Sequence, residues 1–382
     1  MIPLCVPNLT GNEEKYLQNC IRTNFVSTVG TYVTQFEDKI KNITSSKHCI
    51  ATSSGTSALH LTLHCLNIES NDLVLCPSYS FIASANAIKH CKAEPIFIDI
   101  DTSTSCVSAE KLEIFLSNNC NLIKNKCIHK NTKKQIKALI VVFTVGSIPN
   151  IKKLKDLTSN WGIKLIADSA CSLGITTKSI NYFEFFEASI FSFNGNKTFT
   201  CGGGGAIITN NKDFANKLRH VSTTARVGKD YCFDQVGFNY RLTNLQAAVG
   251  LAQLEQFDNF VNKKHEIFNF YIASLKPYDK ILLPLPGLIN NLDSIPWLAT
   301  FTISNDKLLL PLITHLNEKG IMSRNFWQPL NKQTPYKDSI CSDIRNSKLL
   351  SSTTLVLPSS TNITSDELIT VTKAIIQFIK NV

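Results

Sequence analysis

The strongest constraint in this chain is a change of rhythm that begins near residue 48. Short apolar, β-branched runs follow one another: "HCIATSS", "DLVLCPS", "EPIFIDI", "KALIVVFTVG", "IKLIADS", "ASIFSF" and "GAIITNN". Helical stretches such as "SALHLTLHCL", "FIASANAIKH" and "AEKLEIFLSN" fall between several of them. Runs that are apolar at successive positions, not at alternate ones, predict strands covered on both faces. Strand–helix alternation predicts an α/β fold with a seven-stranded, mostly parallel sheet between layers of helix. Two helical segments precede it, "GNEEKYLQNCIRT" and "TYVTQFEDKIKNI". A long helical stretch, "RLTNLQAAVGLAQLEQFDNFVNKKHEIFNFYIASL", leads into a second alternation at "LATFTIS", "KLLLPLITHLNEK", "IMSRNFW", "TTLVLP" and "SDELITVTKAIIQFIKN". We therefore expect a large α/β domain over residues 1–255 and a smaller α+β domain over 256–382.

Composition narrows the setting. With 43% hydrophobic and 18% charged residues, the 382-residue chain has the profile of a globular protein. No apolar run reaches the roughly 20 residues of a membrane helix, and the first residues lack the basic start and apolar core of a signal peptide. The thirteen cysteines are scattered singly from Cys5 to Cys341 with no C-x-x-C pair. That argues against a zinc site and a disulfide framework, and for reduced thiols in a cytoplasmic location. The net charge of +10 favours an anionic partner. Six lysines and no acids lie in "KNKCIHKNTKKQIK", residues 124–137. A solvated loop and a patch for phosphates or nucleic acid are both open readings of that segment. It has no aromatic residue on which bases could stack.

In an open α/β sheet, ligands collect at the carboxyl ends of strands. After the first run comes Ser53-Ser54-Gly55-Thr56-Ser57, small residues opening a helix. Free backbone N–H groups and the helix dipole there suit an anion, although a plain helix cap reads the same way. After the second comes Tyr79-Ser80-Phe81, where an aromatic can lie on a flat ring or simply join the core. After the fifth comes Asp168, an acid whose burial is costly unless it is paired, by a salt bridge or by a cationic ligand atom. After the sixth come Asn194, Gly195, Asn196 and Lys197, then Gly202 to Gly205. The glycine run is not G-x-G-x-x-G and does not open a helix, so it is poor support for a dinucleotide site.

Each position alone has a bland reading. Together, a phosphate cradle, an aromatic face, a strand-end carboxylate and a loop lysine match one cofactor, pyridoxal 5′-phosphate, with pyridoxamine 5′-phosphate as its aminated form.

The segments "ATSSGTSALHLTL", "CPSYSFIASANAI", "IADSACSLG", "FSFNGNKTFTCGGGGAIIT" and "GFNYRLTNLQAAVGLAQLEQ" resemble the DegT/DnrJ/EryC/StrS sugar aminotransferases, pyridoxal-phosphate enzymes of fold type I. The resemblance runs over nearly the whole chain. The N-terminal segment and "STTARVG" look most like the subgroup serving legionaminic- or bacillosamine-type pathways. It implies that Lys197 is the Schiff-base lysine and Asp168 the partner of the ring nitrogen. It implies that Gly55, Thr56, Ser57 and Ser192 hold the cofactor phosphate and that Phe81 stacks on the ring. Asn239 matches an asparagine that reaches the phosphate from a neighbouring subunit, which implies a homodimer with shared active sites. Arg324 and Trp327, in "SRNFWQPLNKQTPY", match a segment near the sugar nucleotide. The implied reaction moves an amino group from an amino acid, L-glutamate by expectation, to a keto group at C4 of a nucleotide-linked deoxysugar. No metal, nucleic acid or membrane enters it.

Three positions depart from the family pattern. Cys171 stands where a Glu, Gln or His is common, Phe143 where a His is common, and Val145 where a larger residue is common. The changes make the site less polar and leave the substrate open. They keep two rival readings in view, a C3-directed aminotransferase and a cofactor-binding regulator without turnover. A dehydrating sister group carries histidine at the lysine position, so Lys197 argues against dehydration.

Overall fold

The computed structural model describes residues 1–175, 180–291 and 293–381. Helices α1 (Glu13–Arg22) and α2 (Thr31–Thr44) come first, where the helical spacing predicts them. Then the chain alternates: β1 (His48–Thr52), α3 (Gly55–Cys65), β2 (Asp72–Pro77), α4 (Ala83–His90), β3 (Glu94–Ile98) and α5 (Ala109–Asn119). A hairpin of β4 (Cys120–Ile123) and β5 (Lys126–His129) interrupts the pattern before β6 (Gln135–Val142), α6 (Ile151–Asn160), β7 (Lys164–Asp168), β8 (Ala188–Ser192), β9 (Gly205–Thr209) and α7 (Lys212–Ser222). After a small hairpin, β10 (Arg226–Val227) and β11 (Cys232–Phe233), the long helical stretch divides into α8 (Asn244–Glu255) and α9 (Phe257–Leu275).

The seven expected strands lie in the order β1-β9-β8-β7-β6-β2-β3. Every neighbouring pair from β8 to β3 is parallel, and β9 runs antiparallel to both its neighbours. The sheet has nine strands, not seven, because β5 adds antiparallel to the start of β6 and β4 pairs with β5. The basic segment 124–137 is thus largely a hairpin and the start of β6, not a solvated loop. Lys137 is paired with Asp72 at 2.7 Å, and Lys130 donates to the Ser117 and Asn118 carbonyls. Its alternation of exposed and buried residues was masked in sequence by the density of lysine.

Strands β6 and β7 are almost wholly buried, which is why they read as continuous apolar runs. Ile140, Ile166 and Ile190 pack towards α3 and α4 on one face. Leu139, Val141 and Leu165 pack towards α5 and α6 on the other. Each such side chain, fully buried, contributes about 1.5–3 kcal/mol. A third cluster joins α2 and α8 to the edge of the sheet at β1, β8 and β9, around Phe36, Phe191 and Phe193.

The second sheet is formed by β12 (Leu282–Pro284), β13 (Ala299–Ile303), β14 (Arg324–Asn325) and β15 (Thr354–Leu357), all antiparallel in the order β12-β13-β15-β14. The short helix α10 (Pro286–Ile289) follows β12, and α11 (Leu309–Glu318), α12 (Arg345–Thr353) and α13 (Ser365–Lys380) complete the chain. The core of this unit, with α9, α11 and α13 against the sheet, includes Tyr79 and Val145 from the strand ends of the first. One apolar cluster therefore spans both sheets. Among the described residues, no helix is long and apolar enough to cross a membrane.

Helices α3 and α4 carry an aromatic cluster of His60, His64 and His90 against the stacked pair Phe238 and Tyr240. His60 is buried and its Nδ1 lies 3.1 Å from the Tyr240 hydroxyl. Burial, aided by charge on His90 and His64, pushes its pKa down to about 4 from 6.5. The unfolded chain thus binds this proton more readily than the folded one. Stability contributed by a neutral His60 is complete above pH 6.5 and falls as the pH drops towards 4. The expected outcome is a fall in urea midpoint between pH 7 and pH 4.5 that is smaller in His60→Gln than in the wild type.

Candidate active site

Parallel pairing puts the ends of β2, β6, β7 and β8 on one edge of the sheet, and the antiparallel β9 starts from that edge and carries the end of β1 to it. A cavity of about 520 Å³ opens there. It brings together Gly55, Thr56, Phe81, Asp168, Ser192 and Lys197, and its wall also includes Arg324 and Trp327 from the second unit. Ser57 and Asn239 are not in that wall.

The α3 terminus is organised by its own sequence. Ser54 caps the helix by accepting the Ser57 N–H at 3.0 Å, and the Ser57 hydroxyl accepts the Ser54 N–H at 2.9 Å. The Ser57 side chain is thus spent on the cap, while the first-turn N–H groups of Gly55 and Thr56 have no carbonyl inside the helix. Gly55 leaves no room for a larger residue: a Cβ there would lie 2.9 Å from the Ser192 Cβ. Gly205 plays the same part from beneath, since its Cβ would come within 2.6 Å of the Ser54 carbonyl group. Thr52, Gly205 and Ser192 lie side by side across β1, β9 and β8. This accounts for part of the glycine run. Gly202 and Gly204 have φ of +75° and +121° and turn the chain back into the sheet, and Gly205 lets the α3 terminus sit against β9.

The loop between β8 and β9 is closed by paired backbone groups. The Phe193 N–H donates to the Gly204 carbonyl, and the Cys201 N–H to the Phe193 carbonyl, both at 2.9 Å. A turn bond from Lys197 N–H to the Asn194 carbonyl sets the lysine in the cavity wall. Its Nζ donates to Cys171 Sγ at 3.1 Å and rests 4.0 Å from the ring centroid of Trp297.

Asp168 is buried at the end of β7, with 6% of its surface exposed. Its Oδ2 accepts from the Ser84 hydroxyl at 2.7 Å, and its Oδ1 from the Ala170 N–H at 3.2 Å. Burial pushes its pKa up, and Ser84, Ala170 and the Lys197 charge act against that. Among the described residues, no lysine, arginine or histidine lies within ion-pair distance of it. This carboxylate is therefore aimed into the cavity with room for a cationic partner.

Phe81 is 59% exposed and lines the cavity, so the core-packing alternative for it does not hold. Tyr79, two residues earlier, is the buried one, and it carries Trp327 at 5.9 Å and Phe326 at 6.1 Å between ring centroids. Arg324 is exposed at the cavity wall, and no carboxylate among the described residues pairs with it. Phe143 is buried among Phe183 and Phe186, and Val145 holds a left-handed φ of +50°. Ser84 and Trp297 are site residues that sequence reasoning missed. Ser84 lies inside a run of small helical residues, and Trp297 is a hundred positions from the lysine it touches. No local pattern marks either. Among the described residues, no group of His, Cys, Asp and Glu is placed to hold a metal.

A strand-edge cavity with a helix terminus, an exposed ring, a buried acid and a lysine, next to a second small sheet, is the build of a fold-type-I pyridoxal-phosphate enzyme. The chain belongs to the DegT/DnrJ/EryC1/StrS aminotransferase family, whose model matches residues 7–376. It is 34% identical to the GDP-perosamine synthase of Vibrio cholerae over 88% of each chain. It is 31% identical to the UDP-4-amino-4,6-dideoxy-N-acetyl-beta-L-altrosamine transaminase of Campylobacter jejuni, over 64% of this chain and 62% of that one. It is 30% identical to the UDP-2-acetamido-2-deoxy-3-oxo-D-glucuronate aminotransferase of Pseudomonas aeruginosa, over 65% of each. A solved Streptococcus pneumoniae structure in its pyridoxal-phosphate form has the same fold, with a TM-score of 0.87 at 20% identity over 100% and 99% of the two chains. The protein is an aminotransferase, and its cofactor is pyridoxal phosphate. The residues present fit that group: free first-turn N–H groups for a phosphate, an exposed ring, a buried acid without a cation, and an amine in the same cavity.

Ser84→Ala should remove the side-chain donor to a buried carboxylate and cost about 1–3 kcal/mol of stability. Urea unfolding of the cofactor-free protein at pH 7 measures it. The loss should shrink at pH 4, where Asp168, with its raised pKa, takes up a proton.

Proposed function

We propose that the protein transfers an amino group from L-glutamate to the C4 keto group of a nucleotide-linked deoxysugar, in amino-sugar biosynthesis. The observation that carries the reading is the shared cavity of Lys197 and Asp168, with the α3 terminus on its wall. The bound cofactor supplies an electron sink that stabilises negative charge at the carbon losing a proton. The protein supplies the rest. The N–H groups of Gly55 and Thr56, with Ser192, hold the phosphate at the positive end of α3. Phe81 covers one face of the ring. Asp168 keeps a proton on the ring nitrogen, since a buried carboxylate next to it favours the charged form. Lys197 Nζ bonds the cofactor at rest. As a free amine it would be the base that takes the α-proton of the amino donor and the acid that gives a proton back. Lys197 would serve as the same proton carrier when the sugar's keto carbon takes the amine.

Arg324 and Trp327 supply a free guanidinium and an anchored ring at the wall, which suits an anionic nucleotide sugar. The C4 assignment draws on the relative whose name places nitrogen at carbon 4. The alternative, C3, draws on the relative whose name places the keto group there. Asn239 is exposed and outside its own cavity wall. That favours its service to a neighbouring copy in a homodimer with shared sites. Ser57, engaged in the helix cap, acts by holding the α3 terminus in shape.

The protein loaded with cofactor should show the absorbance band of a lysine-bound pyridoxal phosphate, and glutamate should bleach it. Lys197→Ala should fold but lose both the band and the transfer. Asp168→Asn should bind cofactor and turn over at least about a hundredfold more slowly. A wild-type rate in either variant overturns the assignment. A band that glutamate leaves unbleached, with no amino-sugar product, would instead favour a binding protein without turnover. A panel of nucleotide-linked 3-keto and 4-keto sugars, with products read by mass spectrometry, decides the position.

A further inference from the structure

Trp297 joins the second unit to the loop that carries Lys197. It is buried, with 4% of its surface exposed. Its ring centroid lies 4.0 Å from Lys197 Nζ, within the range in which an aromatic face attracts a cation. Its Nε1–H donates to the Asn196 carbonyl at 2.7 Å, the peptide directly before the lysine. The Cys5 thiol donates to the same carbonyl at 3.3 Å. Both the backbone and the side-chain end of Lys197 are thus held by one residue.

Trp297 is itself fixed from two sides. Its N–H donates to the Val145 carbonyl at 3.0 Å, and Val145 is in the left-handed region at φ +50°. Next to it, Gly146 has φ +98°, and a Cβ there would lie 1.8 Å from the Ile295 carbonyl oxygen. The segment 295–297 is therefore clipped tightly onto the turn that follows β6. From the other side, Lys264 of α9 is 2% exposed and donates to the Trp297 carbonyl at 2.8 Å and the Ser359 carbonyl at 2.5 Å. Burial pushes the Lys264 pKa down, with the Cys5 and Cys171 thiols acting against it. A buried amine is retained only where its hydrogen bonds are made, and these two carbonyls provide them.

We propose that Trp297, braced by Lys264, is a positioning residue for Lys197, holding the amine against its ring and the Asn196 peptide against its indole N–H. The proposal rests on the reading of Lys197 as the cofactor-bonding amine for its importance, though not for its geometry. A lysine has four rotatable side-chain bonds, and the ring contact restricts the last of them to the cavity.

The test uses the whole cofactor-free protein. An acetylating reagent at pH 8 labels lysines, and mass spectrometry compares Lys197 with the exposed Lys15. Trp297→Leu removes the ring and the donor. Lys197 should then label about fivefold faster, the size of one lost cation–π contact. Trp297→Phe keeps a ring but loses the donor, and the rate should rise about twofold. Equal labelling in Phe and Leu variants, or no change in a folded Leu variant, overturns the proposal. If the Leu variant fails to fold, unchanged labelling in the Phe variant alone overturns it. Borohydride reduction of the loaded wild type separates the two readings. Cofactor fixed at a lysine other than Lys197 would sink the functional assignment and leave the labelling result to decide Trp297.

Discussion

The site depends on a carboxylate kept away from water without a salt-bridge partner. Asp168 ends a strand buried on both faces, between β6 and β8. Two hydrogen bonds, from Ser84 and the Ala170 N–H, hold it in place. They satisfy its oxygens only in part, and burial still raises its pKa. A pyridinium N–H would complete the set. The rest of the cavity follows from that need. The parallel sheet brings the α3 terminus and the lysine loop to the same edge, and the second unit covers them.

The second unit is more than a cover. Its core takes in Tyr79 and Val145 from the first sheet, so the two cannot separate without exposing apolar surface. It also delivers Trp327, resting on Tyr79, and Trp297, resting on Lys197. The low polarity near Phe143 and Cys171 has a local explanation. Phe143 lines the cavity and packs against Phe183 and Phe186, and Cys171 meets the lysine directly. All thirteen cysteines are free, and burial pushes the Cys171 thiol up despite the nearby Lys197 charge. It faces the amine as a neutral thiol.

Much of the fold was legible because the strands are covered on both faces. Seven runs of unbroken apolarity correspond to β1, β2, β3, β6, β7, β8 and β9. The β4–β5 hairpin was not legible, because its exposed residues mix Leu122 and Ile123 with Lys124 and Lys126, and only Cys120, Cys127 and His129 are buried. The long helix was read as continuous because nothing in its sequence breaks it. The structure separates α8 from α9 at Gln256. "IMSRNFW" keeps only two residues of strand, Arg324 and Asn325, and the chain then leaves the sheet towards the cavity.

The amino-acid sequence by itself determined the strand ends and what stands on them: Gly55 and Thr56, Phe81, Asp168, and Lys197 with its glycines. It could do so because a ligand-binding edge is built from the residues that follow buried strands, and burial leaves a mark on composition. The tertiary structure alone decided which of these point into one cavity. It turned Phe81 outward and Tyr79 inward, spent the Ser57 hydroxyl on a cap, and left Asn239 outside. It also set Ser84 against Asp168 and Trp297 against Lys197. Those contacts join residues separated by 84 and 100 positions, and no local pattern encodes a pairing made only when two packed layers meet.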